Sequence, residues 1–368
     1  MNIKTIKNLK DFGGKKFLLR LDLNVPMIDG IIQDDYRIKR SLATINYLKN
    51  GGAKIIIISH TESDPNNSLR SVANFLNYKF LDLDFNTLED KIRKIENGEI
   101  VVLENLRTNP GEKKNDEAFT KELSSLADFF VNEAFSVSHR EHASIVGIPK
   151  YLPSYFGFLF EEEIDNLSLA FNPEHPFTFI LGGAKFETKL PLVEKFLNIA
   201  DQIFIGGALA NSFYKELGYQ TGKSLVDNSD LNLKKLSKNS KIFLPEDVVV
   251  NTPNGDKIKN ANDVFKEETI VDNGPLFIAK LEKAISSSKF ILWNGPLGLA
   301  EKGYSEATNR TSGAIANSKA KSIIGGGDTI AAINKLDIMN KFSFVSTGGG
   351  AMLDFLSNGT LPGIEAIK

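Results

Sequence analysis

At 368 residues the chain has room for about two domains, each with its own core, and its 42% hydrophobic and 24% charged residues are those of an ordinary soluble protein. A formal net charge of −2 supplies no excess of cations for nucleic acid, and the absence of cysteine excludes disulfides and thiolate metal sites. The opening MNIKTIKNLKDFGGKK lacks the apolar run of a signal peptide and no apolar stretch reaches membrane-spanning length, so the cytoplasm is the expected compartment, with no membrane partner.

Short apolar runs rich in Ile, Val and Phe recur along the chain, and segments 17–21, 54–58, 99–103, 129–131, 177–181, 202–205, 248–250, 290–293, 322–324 and 342–345 read as strands. Runs without strict polar alternation suit strands covered on both faces, and the stretches between them carry helical spacing. The expectation is an α/β protein of parallel sheets with right-handed crossovers. A domain boundary is expected within 147–172, where IPKYLPSYFG precedes a helical FEEEIDNLSLAF and NPEHP comes after it. There is no low-complexity segment and no fixed-period repeat.

The residues at the strand ends differ between the two halves. In the first half the strands lead into charged or amide side chains: Arg20, Asp22 and Asn24; Ser59 and His60; Glu104, Asn105 and Arg107; Asn132 and Glu133. In the second half they lead into glycines: Gly182-Gly183, Gly206-Gly207, Asn294-Gly295-Pro296, Gly325-Gly326-Gly327 and Gly348-Gly349-Gly350. Ligands of open parallel sheets bind at the carboxyl ends of the strands, so the asymmetry points to two half-sites of different chemistry.

A glycine turn between strand and helix lets backbone N–H groups approach phosphate oxygens, although tight helix–sheet packing also demands glycine. Five such turns in one half favour a polyphosphate ligand. Gly222-Lys223-Ser224 resembles the end of a phosphate-binding loop, but Gly218 stands one position too close and no strand leads in, so it reads as a surface turn. No GxGxxG stands after the first strand, which counts against a dinucleotide dehydrogenase.

The run LGGAKFETK sets Lys185 and Lys189 four apart near a helix start, where an anion between them and plain solvated lysines are the two accounts. Asp328, after three glycines, suits a Mg²⁺ ligand acting through nucleotide phosphates and equally a helix N-cap. In the first half Arg20, Arg37, Arg107 and Arg140 accompany His60 and His139. Arginine grips carboxylate and phosphate with two N–H groups, so the set suits a small, highly anionic molecule. Taken singly, each arginine is more often a surface salt-bridge partner. His142 and His175 have no such setting and read as structural.

The segments LLRLDLNVP, DDYRIKRSLATINYLKNGGAKIIIISH, VVLENLRTNPGEKKND and VNEAFSVSHREHAS resemble phosphoglycerate kinase motifs in that family's order. ILGGAKFETK, FIGGALA, GYQTGKSL, LPEDVVV, WNGPLG, IIGGGDT, VSTGGGA and LPGIEAI continue the resemblance, which covers the whole chain. It implies two Rossmann-like domains, each a mostly parallel sheet flanked by helices, joined by a helical hinge. By that resemblance residues 1–155 bind 3-phosphoglycerate, with a tail from about 355 packing back on them, and 156–354 bind the nucleotide. Closure about the hinge would then bring the two half-sites together.

The resemblance further implies that Arg20, Asp22, Asn24, Arg37, His60, Arg107 and Arg140 bind the phosphoglycerate. It places Lys185 and Lys189 at the transferring phosphoryl group and the nucleotide phosphates. Gly183, Gly206, Gly207 and Leu299 would line the adenine slot, and Glu301 would take the ribose hydroxyls. Asn294, the turn 325–329 with Gly326, Gly327 and Thr329, and the amides of 348–350 with Gly350 would hold the phosphates and the transfer position, with Asp328 on Mg²⁺. Arg37, Lys185, Gly327 and Gly350 are the catalytic set, ATP or ADP with Mg²⁺ the nucleotide and cofactor, 1,3-bisphosphoglycerate the product acid, and a monomer the expected state.

Three departures stand out. After Ser59-His60 the family has Leu-Gly-Arg-Pro, whereas this chain reads Thr61-Glu62-Ser63-Asp64-Pro65, losing an arginine and gaining two acids that would repel the substrate if they point inward. Arg70 is a candidate to fill the vacancy. The lysine motif carries Thr188 beside Glu187 in place of an aspartate, and VNEAFSVSHR brings Glu133 and Ser136 into a turn otherwise richer in glycine and alanine. The chain is also somewhat shorter than the family, consistent with trimmed loops. A catalytically weakened nucleotide-binding relative and an unrelated α/β enzyme are the competing readings.

Overall fold

The runs KFLLR, KIIII, KFL, IVVL, FFVN and SYF pair in parallel, and the longer of them carry the apolar character of strands covered on both faces. A computed structural model describes residues 3–62, 64, 66–184, 186–227 and 233–367, and divides the chain into two compact units, Met1–Asp165 with Asn358–Lys368, and Asn166–Ser357.

The first unit contains β1 (Lys16–Arg20), a small hairpin of β2 (Met27–Ile28) and β3 (Ile31–Ile32), then β4 (Lys54–Ile58), β5 (Lys79–Leu81), β6 (Ile100–Leu103), β7 (Phe129–Asn132) and β8 (Ser154–Phe156). Its six-stranded sheet has the order β5-β6-β4-β1-β7-β8, all parallel. Ile55, Ile56, Ile57 and Ile58 are all fully buried, so both faces of β4 are covered, and a run without polar alternation is what that position needs. The covering helices are α1 (Tyr36–Asn50), α2 (Arg70–Phe75), α3 (Phe85–Arg93), α4 (Pro110–Lys114) and α5 (Glu117–Ser125). α1 buries Ile38, Ser41, Thr44, Ile45 and Leu48, one face at helical spacing, and stops at Gly51-Gly52, where Gly52 takes φ +76°. α3 and α5 are capped by their own aspartates, Asp84 and Asp116, which accept from Asn86 N and Phe119 N.

Helix α6 (Phe158–Ser168), the expected FEEEIDNLSLAF helix, begins in the first unit and crosses the division at Asp165. Its first turn is held from β7. The buried Glu133 carboxylate accepts from Leu159 N at 3.0 Å, from Phe160 N at 3.2 Å and from the Thr44 hydroxyl. Burial raises the Glu133 carboxyl to about 7, with those hydrogen bonds and Arg40 pulling it down. The folded chain then keeps a proton that the unfolded chain, with a carboxyl near 4.5, has released, so this group's contribution to stability falls as pH rises from 4.5 to about 7. Glu133→Gln has no such proton. Its Tm relative to the parent is expected to climb between about pH 5 and about pH 8; parallel melting curves across that range would mean that Glu133 titrates normally.

The second unit repeats the plan with β9 (Phe177–Leu181), β10 (Gln202–Ile205), β11 (Ile242–Phe243), β15 (Phe290–Asn294), β16 (Lys321–Gly325) and β17 (Phe344–Val345), ordered β11-β10-β9-β15-β16-β17 and parallel throughout. Its helices are α7 (Phe186–Phe196), α8 (Gly207–Glu216), α9 (Leu233–Ser237), α10 (Pro275–Ser287), α11 (Glu306–Ala316), α12 (Gly327–Asn334) and α13 (Gly350–Asn358). Segment 248–250 corrects the expected assignment to a parallel sheet. It lies in β12 (Asp247–Thr252), which pairs antiparallel with β13 (Gly255–Asn260) and β14 (Thr269–Asn273) in a separate three-stranded sheet. The cause is the Asn254-Gly255 turn, where Gly255 at φ +93° lets the chain reverse as a hairpin. After α13 the chain rejoins the first unit, where α14 (Pro362–Glu365) is tied by Gly363 N to Ser138 O at 2.9 Å.

Candidate active site

In the first unit the strand order reverses beside β1, so the crevice at the carboxyl ends of β1 and β7 is the place for a ligand. Arg20, the last residue of β1, is fully buried: Nε donates to Ser144 Oγ at 2.8 Å, Nη2 to His60 Nδ1 at 3.2 Å, and Nη1 to Leu21 O. Ser144 passes the contact on to Glu112, donating Oγ to Oε1 at 2.6 Å and its N–H to Oε2 at 3.0 Å. Arg20 therefore lies under the crevice floor as a fixed charge, and its pKa is lowered by burial against the pull of Glu112 and Asp22.

Asp22 accepts from Ser136 Oγ and from Asn24 N at 3.1 Å, and faces Arg37 Nη1 at 3.1 Å. Burial alone would raise its pKa, but Arg37 leads the groups that hold it well below the ordinary carboxylate range. Arg37 comes from the first turn of α1 and also donates to Asn24 O at 2.8 Å. His60 is pushed far down by burial and then by Arg20. It is a neutral imidazole, and since Nδ1 accepts from Arg20, its Nε2–H is the remaining donor.

Arg107 stands on the short turn after β6. Its side chain is only 3% exposed, yet Nε and Nη2 have no hydrogen-bond partner, while Nη1 meets the Glu62 carboxylate. Arg140 is exposed and touches His139 Nε2 at 3.4 Å. Arg20, Arg107 and Arg140 each lower the pKa of His60 and of His142, the latter pushed down to about 4 chiefly by burial. Arg107 and Arg140 also lower that of Arg20, and Arg140 that of Arg107. Such a cluster of mutually repelling guanidinium groups, one with buried unused donors, is relieved by an anion with several acceptor oxygens.

The acids that replace the family's arginine loop take opposite directions. Glu62 faces the cations, whereas Asp64 is buried and turned into its own loop, accepting from Asn66 N at 2.8 Å, Ser68 N at 3.3 Å and Ser71 Oγ at 3.0 Å. Arg70 does not fill the vacancy: it pairs with Asp82 at 3.1 Å and stacks 4.1 Å over Phe80. Ser63 lies outside the described residues.

In the second unit the order reverses between β9 and β15, and the glycine turns line up along one sheet edge as 206–207, 182–183, 294–296, 325–327 and 348–350. α8 and α12 have Gly206 and Gly326 at their N-caps with no side-chain cap, unlike the aspartate-capped α3 and α5 of the first unit; Leu209 N of α8 donates to Gly183 O at 3.0 Å, and the amides of Gly207 and Ala208 and those that open α12 are left for a ligand. Gly207 takes φ +61°, and a Cβ there would come within 2.9 Å of Gly183 N and Pro296 O, so the backbone pair closes only around glycine.

A cavity of about 270 Å³ lies beside these turns, lined among others by Gly207, Asn211, Leu297, Leu299 and Glu301. Gly183, Gly206 and Lys189 do not line it. The Lys189 ammonium is buried and donates to Gly182 O, in the crevice between the 182–183 and 295 turns. Lys185 lies outside the described residues. Asn294 is buried, donating weakly to Met352 Sδ at 3.8 Å, and Thr329 Oγ1 accepts from Gly295 N at 2.9 Å. Gly327, Asp328 and Gly350 are exposed at the starts of α12 and α13. Among the described residues no cluster of three or more His, Asp or Glu side chains could hold a metal. The lone Asp328 carboxylate fits a Mg²⁺ ion shared with ligand phosphates, not a protein cage. The Gly222-Lys223-Ser224 segment bridges to Thr269, and Lys223, paired with Glu267 at 2.7 Å, also lines the cavity.

Sequence reasoning passed over Glu112 and Ser144, which fix Arg20, and Asp272, whose carboxylate braces Ala307 N and Asn273 N in the wall of the cavity. His142 sits half-buried, 3.9 Å from Glu112, and His175 pairs with Asp201 at 2.7 Å.

A family model described as phosphoglycerate kinase matches residues 6–359. A phosphoglycerate kinase of Finegoldia magna is 42% identical, over 100% of this chain and 99% of the relative, and one of Borreliella burgdorferi is 39% identical over 100% of both. Among solved structures, phosphoglycerate kinase from Coxiella burnetii superposes with a TM-score of 0.84 at 35% identity, covering 100% of this chain and 99% of that one. The enzyme from Pyrococcus horikoshii gives a TM-score of 0.87 at 31% identity, covering 99% and 98%. With an arginine-lined crevice on one parallel sheet, a row of amide-bearing turns on the other and matches spanning nearly every residue, the chain belongs to the phosphoglycerate kinase family.

Proposed function

We propose that the first unit binds 3-phosphoglycerate and the second ATP or ADP, and that the residues named above carry the transfer between them. As a member of its family the chain is an enzyme, a glycolytic phosphotransferase. It moves a phosphoryl group reversibly between 1,3-bisphosphoglycerate with ADP and 3-phosphoglycerate with ATP. The observation that best supports the acid site is Arg107, with buried N–H groups unused at Nε and Nη2 inside a cluster of cations.

The acceptor is a carboxylate, already ionised at neutral pH, so no general base is needed. What the protein must do is hold two anions in line and neutralise charge on the group that moves between them. His60, Arg107 and Arg140 hold the acid over the fixed charge of Arg20, with Asp22 and Asn24 fixing Arg37 so that its guanidinium reaches the transfer position. On the nucleotide side Leu299 and Glu301 take the base and ribose, with Gly183, Gly206 and Gly207 beside them. Lys189 and Asn294 brace the phosphate turns, and the amides at Gly326, Gly327, Thr329 and Gly350 face the phosphates, with Lys185 at the transferring group. Asp328 would hold Mg²⁺ together with the nucleotide, and the ion would supply positive charge there.

No helix among the described residues is long and apolar enough to cross a membrane. The cytoplasm as compartment and a monomer as working state belong to the same proposal. The test is a coupled assay with MgATP and 3-phosphoglycerate. Phosphoryl transfer that requires both substrates is the expected result; nucleotide binding without transfer would make the chain the weakened relative instead.

A further inference from the structure

We propose that the Glu62 carboxylate is a built-in competitor of the acid substrate: it pairs with Arg107 and has to leave before a substrate anion can take that guanidinium. The inference rests on the reading of Arg107 as an acid-binding residue. Its basis is an asymmetry in how the two partners are held. Arg107 is fixed, with a side chain 3% exposed, whereas the Glu62 side chain is 54% exposed and can turn into water at little cost. Glu62 meets only Nη1 and leaves Nε and Nη2, both buried, without a partner. It is a partial counter-ion on a group built for more acceptors.

The loop keeps this competitor at hand. Glu62 N donates to Asn24 Oδ1 at 2.9 Å, which anchors its backbone beside the crevice, and Lys113 Nζ stands 3.7 Å from the same carboxylate oxygen. Asp64, which arrived in the same loop, is spent on capping its own turn, so Glu62 is the acid that matters. An anion that takes Arg107 breaks the Glu62 pair and gains the unused donors. Because the cost of displacement is common to every such anion, Glu62 lowers all their affinities by one factor. It sets a threshold of binding and leaves the ranking of ligands alone.

Two accounts of Glu62 predict opposite signs. If it positions Arg107 for the substrate, its loss weakens acid binding; if it competes, its loss tightens it. Glu62→Gln keeps the length and the backbone bond to Asn24 while removing the charge. Titration calorimetry on the full chain, with 3-phosphoglycerate and separately with inorganic phosphate, should show tighter binding of both by the same factor. That factor is expected between about twofold and about fivefold, the range for an ion pair with an exposed partner. The KM for 3-phosphoglycerate should fall in parallel with the KM for ATP unchanged, and a thermal melt would show the fold intact.

Unchanged or weaker binding of phosphate and 3-phosphoglycerate would overturn the proposal. The two readings fail separately. Phosphate bound more tightly by the variant, in a protein that never turns over 3-phosphoglycerate, would leave the competitor standing and remove the assigned activity. Normal turnover with identical affinities in parent and variant would do the reverse.

Discussion

Arg37→Ala is expected to lower kcat by about 10²–10³ while raising the KM for 3-phosphoglycerate far less, because the charge it supplies is needed most on the group in transit. The first turn of α1 carries Arg37 to the end of β1, where it spans Asp22 at 3.1 Å and Asn24 O at 2.8 Å. Those contacts fix the guanidinium without consuming its remaining N–H groups. Its side chain, 32% exposed, is the more open of the pair it forms with Asp22. Arg37→Lys should recover only part of the loss, since a lysine brings a point charge but cannot bond Asn24 O, Asp22 and a phosphoryl oxygen from one planar fork. Removing Arg37 also takes away the first of the groups that hold the Asp22 carboxyl down, so Asp22 should titrate closer to its ordinary range. Steady-state kinetics in both substrates decide the matter. A kcat for the alanine variant within a few-fold of the parent would take Arg37 out of the transfer step.

The sheets were legible because burial on both faces leaves a plain mark in the sequence. KIIII and FTFIL are apolar at nearly every position, and no other placement of such runs satisfies them. The glycine turns were legible for a related reason, since repeated glycine directly after a strand has few explanations. β13 left no such mark: GDKIKN is exposed along almost its whole length, and only the Asn254-Gly255 pair announced the hairpin. The apolar Val248, Val249 and Val250 outweighed that signal in a reading by hydrophobicity alone. β5 and β8 are three residues each, too short for periodicity to show.

Within the site, the residues proposed to meet a ligand were easier to find than the residues that hold them. Arg107 and His60 come just after strands and carry chemistry that a reader looks for. Glu112 sits in PGEKK, where an acid near a helix start reads as a solvated cap, yet it is fully buried because Ser144 and Arg20 come to it from 32 and 92 residues away in sequence. Nothing local encodes that. The directions of Glu62 and Asp64 were equally closed to inspection: the two are alike in sequence context, and the hydrogen bonds from Asn66, Ser68 and Ser71 separate the acid held within its own loop, Asp64, from the one that faces Arg107, Glu62.

Gly295→Ala carries two penalties, one borne by the fold and one by the site, and the second is expected to weaken nucleotide binding by about 10²–10³, the equivalent of ~3–4 kcal/mol. The first is conformational: Gly295 has φ +95°, where a side chain costs about 1–3 kcal/mol. The second is steric. A Cβ at Gly295 would press into the Gly182 carbonyl and come within 2.6 Å of Lys189 Nζ. Backbone cannot swing aside as a side chain can, so the 182–183 and 294–296 turns would have to part. That strains the bonds from Gly182 N to Asn294 O at 3.0 Å and from Gly183 N to Pro296 O at 2.7 Å, which carry the β9–β15 pairing into the crevice. Gly255→Ala separates the two penalties, because Gly255 has φ +93° and nothing within 4 Å of its added Cβ. It should lose about 1 kcal/mol of stability and leave nucleotide affinity unchanged. Titration of both variants with MgADP, with thermal melts alongside, gives the comparison. If Gly295→Ala binds and melts as Gly255→Ala does, the two turns have room that their close approach denies, and the crevice between β9 and β15 is not where the phosphates are held.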